Sequence, residues 1–460
     1  MIRQTLAAAA LLASSTIAAP LSAQSEQEQL DTRYDRALAA GYKALMLCSA
    51  IANAERNGAK RTPESVEQWE LAGIQAPLDT IAPELPYQIA RRAPNNTESE
   101  LSHVWVEWAE GMAPRIARHE SRRGCELLPI GGSMPPAAAL RAPKIAPAER
   151  ILPFPTAPLA TTARAAFGDE FGEGARTTAV AILSGGELLG EAYAPDFGPA
   201  VPQRTWSVAK SIAASLVGAA VERGEIAVKD RAGLGYPGEY RGRGTITLDH
   251  LLRMASGRYS DTPGNRTDPL YWGGTTVDER AANWPLIAAP GSTYRYANND
   301  TLMAIAAIEP TFEQHPPAEL FERLGMHHTV AETDWQGNYV LSSQVWSTAR
   351  DLAKLGQLYL DDGVAPDGTR ILSEGWADYV SAPSGPQPAG RPMGYGAGFW
   401  LFNQTEGIPA DTFAAMGNRG QYVVIVPSRD VVIVRRGEDP AGKSFDILAF
   451  TREVLAALGE

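Results

Sequence analysis

The stretch Trp206-Ser207-Val208-Ala209-Lys210-Ser211 lies at the start of a helix that the sequence predicts over 207–223, with Gly224 directly behind it. Residues three apart share one face of a helix, so the Lys210 amine can reach the Ser207 hydroxyl. The helix start adds free backbone N–H groups and a positive dipole beside Ser207. A serine becomes a nucleophile when an adjacent base takes its proton. The spacing therefore predicts a nucleophilic serine with a lysine base; the alternative is an ordinary helix-start serine beside a solvated lysine.

A second pair of polar residues, Tyr296 and Asn298, follows Pro290-Gly291-Ser292-Thr293 later in the chain. A tyrosine hydroxyl can relay a proton between a lysine, a serine and a leaving group. An asparagine amide can hold both Lys210 and a substrate carbonyl. The alternatives are a core aromatic for Tyr296 and a helix cap for Asn298. The order of the two motifs favours a site for acyl transfer, with Ser207, Lys210 and Tyr296 as catalytic residues.

The patterns of several other kinds of site are missing from the sequence. It has no G-x-S-x-G, no G-x-x-x-x-G-K-[ST] and no convincing G-x-G-x-x-G. The six histidines show no metal-ligand spacing, and two cysteines cannot form a four-ligand zinc site. We therefore expect neither a metal nor an organic cofactor. Tyr271-Trp272-Gly273-Gly274 is a candidate pocket rim, with a plain packing loop as the alternative.

The composition limits the expected partners. The 460 residues are 44% apolar and 20% charged, as in ordinary globular proteins, and the length suggests two to three structural units. Asp and Glu outnumber Lys and Arg by 53 to 41, which gives a net charge of −12. Because an acidic chain does not attract phosphate backbones, nucleic acid is not an expected partner. We expect a small ester, amide or peptide substrate, and the sequence does not indicate an oligomeric state.

Residues 1–23 have the order of a secretory signal peptide. Arg3 comes first, then an apolar stretch over 6–19, then Pro20-Leu21-Ser22-Ala23. We expect cleavage after this stretch and export to the periplasm or the medium; the alternative is an uncleaved anchor. No other segment has about 18 consecutive apolar residues, so we expect no stable membrane span after cleavage.

Cys48 and Cys125 are the two cysteines of the chain. In an exported protein an isolated pair favours one disulfide, and two buried free thiols are the alternative. Both cysteines lie in residues 24–128, which we predict to be a small α+β unit. The pairing within one region favours the disulfide.

The elements of this N-terminal unit follow from its apolar pattern. Apolar residues recur every three to four positions over 30–45, which marks a helix entered through Asp31-Thr32. Alternation over 104–108 indicates a half-buried strand. The segments around Ile116 and over 125–128 are expected to pair with it.

Residues 129–160 contain eight prolines and are predicted to be a linker to the main domain, residues 161–460. The predicted elements of that domain are a hairpin at 177–183 and 188–193, helices at 207–223, 247–255 and 349–361, strands at 421–426 and 431–436, and a final helix at 444–458. Strands at both ends, with a helical insert between them, predict one sheet that the C-terminal strands complete.

The motifs resemble the serine β-lactamase and penicillin-binding-protein superfamily, in particular the class C-like branch with its esterases and D-amino-acid peptidases. The resemblance runs through most of 161–460 and does not extend over 24–150. The matching segments are Ser207–Ser211, Ile246–Gly257, Pro290–Asn298, Phe321–Met326 and Ser347–Gly356. The resemblance implies an α/β fold, in which a mostly antiparallel sheet flanked by helices lies beside a helical subdomain. It places the active site between the two.

The superfamily carries a third motif, usually K-T-G or H-x-G, on a C-terminal strand, and Gly417–Tyr422 stands at the matching place. Gly420 fits a strand against which a substrate lies closely. The resemblance implies an oxyanion hole formed by the backbone N–H groups of Gln421 and Ser207. The alternative is a strand that only lines the core.

Asn418 stands where this motif usually has Lys or His, and it can donate a hydrogen bond but no charge. Adjacent strand residues point to opposite faces, so Arg419 is expected to face away from the cleft. A bulge would instead turn its guanidinium into the cleft. We therefore expect neutral esters or amides to be better substrates than carboxylate-bearing β-lactams.

The sequence thus predicts an exported serine hydrolase that cleaves an ester or amide bond through an acyl-enzyme on Ser207. A β-lactamase or a D-amino-acid peptidase of peptidoglycan metabolism is an alternative with the same chemistry. A non-catalytic peptidoglycan- or penicillin-binding protein, with residues 24–128 as a partner-binding module, is an alternative of another class.

Overall fold

The fold is known from a computed structural model that describes residues 19–92, 100–134, 150–233, 243–259, 267–282 and 284–459, with residues 19–24 as backbone only. Residues 1–18 of the predicted signal peptide and 135–149 of the predicted linker lie outside the described residues.

The N-terminal part consists of a long helix packed on a four-stranded antiparallel sheet. Its elements are α1 (Ala19–Arg56), α2 (Pro63–Trp69), α3 (Leu78–Ile81), β1 (Tyr87–Arg92), β2 (Glu100–Val106), β3 (Arg115–Glu120) and β4 (Gly124–Leu127), with the strands in sequence order. The predicted strand and its pairing with the segment around Ile116 are confirmed, because β2 pairs with β3. The expected pairing of 125–128 with the same strand is wrong, because β4 pairs with β3 and the other neighbour of β2 is β1. The expected helix start at Asp31-Thr32 is wrong. The Gln and Glu residues over 26–29 are good helix formers, and α1 runs through them.

Among the described residues, one helix segment, Ser25–Arg56 within α1, is long and apolar enough to cross a membrane. However, 94% of its most apolar window is buried inside the protein. Small residues such as Ala39, Ala40 and Ala44 are fully buried on this helix and allow close packing. The apolar character of α1 is thus accounted for by its place in the core.

A disulfide joins α1 to the sheet. Cys48 on α1 and Cys125 on β4 are bonded, with Cα atoms 6.1 Å apart, which confirms the predicted bridge. Neither cysteine is exposed to solvent by more than 1%.

Loss of this bridge in a Cys48→Ser, Cys125→Ser double variant is expected to lower the free energy of unfolding. The two cysteines are 77 residues apart. A bridge that closes a loop of this length lowers the conformational entropy of the unfolded chain, which stabilises the folded protein by about 4 kcal/mol. Urea unfolding of the variant and the wild type measures the difference. In addition, thiol titration of unfolded, unreduced wild-type protein should find no free thiol, and two reactive thiols would contradict the bridge.

The rest of the chain is built around a large antiparallel sheet with a small sheet beside it. The strands are β5 (Thr177–Ser184), β6 (Glu187–Tyr193), β7 (Gln203–Arg204), β8 (Val330–Ala331), β9 (Val345–Ser347), β10 (Gly394–Tyr395), β11 (Trp400–Leu401), β12 (Phe413–Gly417), β13 (Gln421–Val426) and β14 (Val431–Gly437). The large sheet has seven strands in the order β10-β11-β12-β13-β14-β5-β6, and the small one has the order β7-β9-β8. The C-terminal strands β13 and β14 lie between β12 and the early hairpin β5–β6, so the C-terminus completes the sheet as predicted.

Helices cover both faces of the large sheet and form a cluster at its side. They are α4 (Ala157–Ala165), α5 (Val208–Glu222), α6 (Leu248–Leu252), α7 (Asp268–Tyr271), α8 (Val277–Ala281), α9 (Asn298–Ile308), α10 (Pro317–Arg323), α11 (Ala349–Leu360), α12 (Trp376–Ser381) and α13 (Ile447–Leu458). Side chains of β5 alternate between two cores: Ala181 faces the side of α5 and α11, and Val180 faces α4 and α13. The predicted α/β fold with an antiparallel sheet flanked by helices is confirmed.

Two predicted helices are shorter than expected. The helix expected over 247–255 ends at Leu252, because Met254 adopts a positive φ of 56° that a helix cannot contain. The final helix begins at Ile447, where the Asp446 carboxylate caps it by accepting from the Ala449 amide.

The N-terminal part is packed directly on the helical side of the main domain. The Tyr42 ring of α1 meets Trp272 edge to face, with centroids 5.1 Å apart. A Cβ atom on Gly41 would lie 1.9 Å from the Trp272 carbonyl oxygen, so only glycine permits this approach. The fully buried Glu332 carboxylate accepts from Asn53, from the Cys125 amide and from Trp346. The contacts of Tyr42 and Gly41 place α1 behind Trp272, and the Glu332 bonds tie α1 and β4 to β9.

Candidate active site

Ser207 stands at a strained turn between β7 and α5. The residue before it, Trp206, has a φ of 49°, an unfavourable conformation for a bulky side chain. Two contacts hold the turn: the Arg204 guanidinium stacks 3.9 Å from the Trp206 ring, and the Thr205 amide donates to the Val345 carbonyl at 2.7 Å. The surroundings thus fix the Ser207 backbone at the start of α5.

The small sheet that carries this turn is itself tied to the large sheet by Arg436. Its fully buried guanidinium donates to the carbonyl oxygens of Gln203, Arg204 and Ser347. Burial lowers the pKa of Arg436 to about 9. Arg436 therefore links β14 to β7 and β9 directly below Ser207.

Lys210 lies one turn along α5 from Ser207 and is only 2% exposed. Its Nζ atom is 3.0 Å from Ser207 Oγ, 2.5 Å from Asn298 Oδ1 and 2.9 Å from the Ser342 carbonyl oxygen. The Ser207 hydroxyl makes no capping bond to the helix. The Nζ–Oγ contact places an amine within hydrogen-bond reach of the Ser207 hydroxyl, which is the geometry that a lysine base requires.

Tyr296 and Asn298 complete this group at the start of α9. The Tyr296 ring centroid lies 5.0 Å from Lys210 Nζ, and Asn298 Nδ2 donates to Thr267 Oγ1 at 2.9 Å. Tyr296 also packs against Trp400, with centroids 5.7 Å apart. The structure therefore brings together the four residues that the first two motifs predict.

The third motif forms a hairpin, and its first residue lies against the backbone of Ser207. β12 ends at Gly417, which pairs with Gln421, so residues 418–420 are the turn. A Cβ atom on Gly417 would lie 2.5 Å from the Thr205 carbonyl oxygen and 3.0 Å from the Ser207 amide nitrogen. The backbone that closes on Ser207 is therefore at Gly417, with Asn418 next to it on the wall of the cleft.

The structure does not bring Gly420 and Gln421 to the cleft, unlike the expected oxyanion arrangement. A Cβ atom on Gly420 would collide with Arg435 and Asp439. The Gln421 side chain is fully buried, where its Nε2 donates to the Gly437 carbonyl and its Oε1 accepts from Arg436. The physical reason is the turn, because the chain reverses after Gly417 and the following residues run away from Ser207.

Arg419 faces away from the cleft, as expected, although it lies in the turn with a φ of 56° and not on a strand. Its guanidinium is bound to Glu438 at 2.6 Å and donates to the carbonyl oxygens of Trp69 and Ala72 at 2.9 and 2.8 Å. With 7% exposure it is held against the N-terminal part. The alternative in which a bulge turns this guanidinium toward the substrate is wrong.

The cleft in front of Ser207 has a volume of about 540 Å³, and its walls combine aromatic and polar side chains. Trp206, Tyr271, Trp272, Tyr294, Tyr296, Trp400 and Tyr422 line it. Tyr271 and Trp272 thereby confirm the predicted pocket rim.

Burial raises the pKa of Tyr294 and of Tyr395 behind it, and the nearby Tyr296 adds to both shifts. These two phenols stay neutral around the candidate proton relay.

Sequence reasoning missed several residues that line the cleft, among them Gln75, Asp268, Arg391 and Trp400. They come from separate loops and strands with no local motif to mark them. Gly417 had a usable signal, since it is the other glycine of the third motif. Among the described residues, no group of three or more His, Cys, Asp or Glu side chains is arranged to hold a metal ion.

Comparisons with known proteins agree with the fold. The family model described as Beta-lactamase matches residues 164–446. The 6-aminohexanoate-dimer hydrolase of Paenarthrobacter ureafaciens is 27% identical over 299 residues, 57% of this chain and 73% of that protein. Penicillin-binding protein 4 of Amycolatopsis lactamdurans is 33% identical over 123 residues, 25% of this chain and 31% of that protein.

A solved structure gives the same result for the fold. A Bacillus anthracis protein described as a candidate 6-aminohexanoate-dimer hydrolase superposes with a TM-score of 0.52 and 20% identity, over 61% of this chain and 78% of that one. Since the family model spans more than half of the sequence, this chain belongs to the beta-lactamase family, within the superfamily of serine β-lactamases and penicillin-binding proteins.

Proposed function

We propose that this protein is an exported serine hydrolase that cleaves an ester or amide bond through an acyl-enzyme on Ser207. One observation carries the proposal: buried Lys210 lies 3.0 Å from Ser207 Oγ at the base of an aromatic cleft. The relative named as a 6-aminohexanoate-dimer hydrolase supports an amide substrate. The signal-like sequence of residues 1–23 and the Cys48–Cys125 disulfide support export.

The proposed reaction has two halves. In the first, Ser207 Oγ attacks the substrate carbonyl carbon while its proton moves to Lys210 Nζ. The Tyr296 hydroxyl relays that proton to the leaving oxygen or nitrogen as the substrate bond breaks. In the second, water attacks the acyl carbonyl carbon and gives a proton to the same groups. The bond between that carbon and Ser207 Oγ then breaks, Oγ takes the proton back, and the acid leaves. Asn298 keeps the Lys210 amine in position throughout.

Negative charge develops on the substrate carbonyl oxygen in both halves of the reaction. Backbone N–H groups that donate hydrogen bonds to this oxygen stabilise the charge. The Ser207 amide at the start of α5 is one donor. We assign the other to the backbone at Gly417–Asn418, because this segment is the one that abuts the Ser207 amide. This assignment replaces the donor expected at Gln421.

A panel of neutral esters, linear amides, penicillins and D-amino-acid peptides tests the proposal. Repeated turnover of an ester or amide is the expected result. Preferred turnover of penicillin identifies a β-lactamase, and preferred turnover of a D-amino-acid peptide identifies a peptidase of peptidoglycan metabolism. Binding of penicillin without any turnover on the panel would overturn the proposal in favour of a binding protein.

The uncharged Asn418 on the cleft wall leads to a prediction about specificity. Wild-type protein is expected to have a higher kcat/KM for a neutral ester than for a penicillin. Asn418→Lys is expected to move the penicillin-to-ester ratio of kcat/KM toward penicillin by about tenfold, since a charge-assisted hydrogen bond contributes about 1.5 kcal/mol or more. Steady-state rates on the two substrates measure the ratio.

Arg391 is the control for this prediction, because it also lines the cleft. Its guanidinium is exposed and stacks 5.6 Å from the Trp400 ring centroid. Solvent screens an exposed charge, so Arg391→Ala should change the ratio by less than about fivefold. A wild-type enzyme that prefers penicillin, and loses the preference in Arg391→Ala, would contradict the neutral specificity.

A further inference from the structure

A loop of the N-terminal part reaches the same cleft as Ser207. The loop connects α2 to α3, and its residue Gln75 lines the cavity. Ile74 before it is 4% exposed, and the Gln75 carbonyl accepts from the Leu78 amide at 3.0 Å where α3 begins. The backbone of Gln75 is therefore anchored on both sides.

Contacts with the main domain fix where this loop lies. Arg419 in the β12–β13 turn donates to the carbonyl oxygens of Trp69 and Ala72. The Gly73 carbonyl accepts from the Ala441 amide at 2.7 Å, and a Cβ atom on Gly73 would lie 2.8 Å from Pro440. The loop is thus clamped beside the turn that carries Asn418.

The Gln75 side chain is available to a ligand. It is partly exposed, and among the described residues its amide makes no hydrogen bond. An amide offers one acceptor and two donors and carries no charge. Such a group forms hydrogen bonds with another neutral polar group. It carries no opposite charge that would offset the loss of hydration of a charged ligand group.

We propose that Gln75 forms a subsite for a neutral hydrogen-bonding group of the substrate, such as a carboxamide or a hydroxyl. The inference rests on the proposed function of the cleft and adds the substrate class that the cleft selects. It also gives the N-terminal part a role as one wall of the active site, in place of the partner-binding module considered from the sequence.

The test compares Gln75→Ala with Gln68→Ala. Gln68 is the matched control, because it is a glutamine of the same unit that is exposed on α2 and absent from the cleft wall. The substrates are the nitrophenyl ester of hexanoic acid and the same ester with the terminal methyl replaced by a carboxamide. In a second pair of esters, the carboxamide is on the alcohol portion of one member and is absent from the other.

Gln75→Ala is expected to lower kcat/KM for a carboxamide ester by about 3- to 10-fold, mainly through KM, since one net hydrogen bond is lost. The plain esters should change by less than about twofold, and Gln68→Ala should change neither. If Gln75→Ala changed kcat/KM for the carboxamide ester and for the plain ester equally in both pairs, the subsite would be wrong.

A binding measurement separates this inference from the proposed function. Hexanediamide and hexanamide are titrated against wild type and Gln75→Ala, with the fluorescence of the cleft tryptophans as readout. Tighter binding of the diamide that disappears in Gln75→Ala supports the subsite even if no ester is hydrolysed. Hydrolysis of esters without any preference for the diamide rejects the subsite and leaves the serine hydrolase in place.

Discussion

Ser207→Ala is expected to lower kcat/KM for a neutral ester by about 10⁴-fold or more, because the hydroxyl oxygen is the atom that bonds to the substrate. The fold should persist, since the partly exposed Ser207 side chain makes no helix-capping bond that alanine would lose. Initial rates on the ester and the midpoint of thermal unfolding measure the two effects.

Ser211→Ala is the control for this variant. Ser211 is one turn further along α5, and its hydroxyl donates to the Gly398 carbonyl at 2.6 Å in the core. The control loses a structural hydrogen bond and keeps the nucleophile, so it should retain most of the activity. An assignment of Ser207 as nucleophile would be wrong if Ser207→Ala were as active as Ser211→Ala.

Lys210→Met and Tyr296→Phe are expected to lower kcat/KM by about 10³-fold and about 10²-fold respectively, because each removes a group that moves the proton. The double variant should be little worse than Lys210→Met alone, since the relay cannot act without the base. Methionine keeps the length of the lysine chain in the core, so the thermal midpoint checks that the fold survives.

A complete double-mutant cycle on one ester measures the coupling between the two residues. If the two losses multiply, Lys210 and Tyr296 act independently and the proposed relay is wrong. The 5.0 Å between Lys210 Nζ and the Tyr296 ring centroid makes strong coupling the expected result.

The parts of the site that sequence reasoning located are those set by local geometry. Ser207 and Lys210 are three residues apart on one helix, so their contact follows from the helical repeat. Tyr296 and Asn298 flank the start of α9, where two nearby side chains reach the same lysine. Strand alternation also predicts the outward direction of Arg419, but the residue lies in the turn, and its ion pair with Glu438 holds it in that direction.

The parts of the site that sequence reasoning misplaced or missed depend on where the chain turns or on contacts between distant residues. The hairpin reverses at 418–420, and a shift of the turn by a few residues exchanges Gly417 for Gly420 at the nucleophile. Gln75 reaches the cleft because distant contacts fix its loop, among them the bond from Arg419 to the Ala72 carbonyl oxygen, which joins residues 347 positions apart. No periodicity or spacing in the sequence encodes that clamp.

Covalent labelling of Ser207 tests the central claim most directly. The protein is incubated with a fluorophosphonate, unfolded and digested with trypsin, which cuts after Arg204 and Lys210 and releases Thr205–Lys210. The account predicts that this peptide gains the mass of the phosphonyl group, that ester hydrolysis is lost in parallel, and that Ser207→Ala protein gains none. Loss of hydrolysis with the label on another serine, or continued hydrolysis by fully labelled protein, would contradict it.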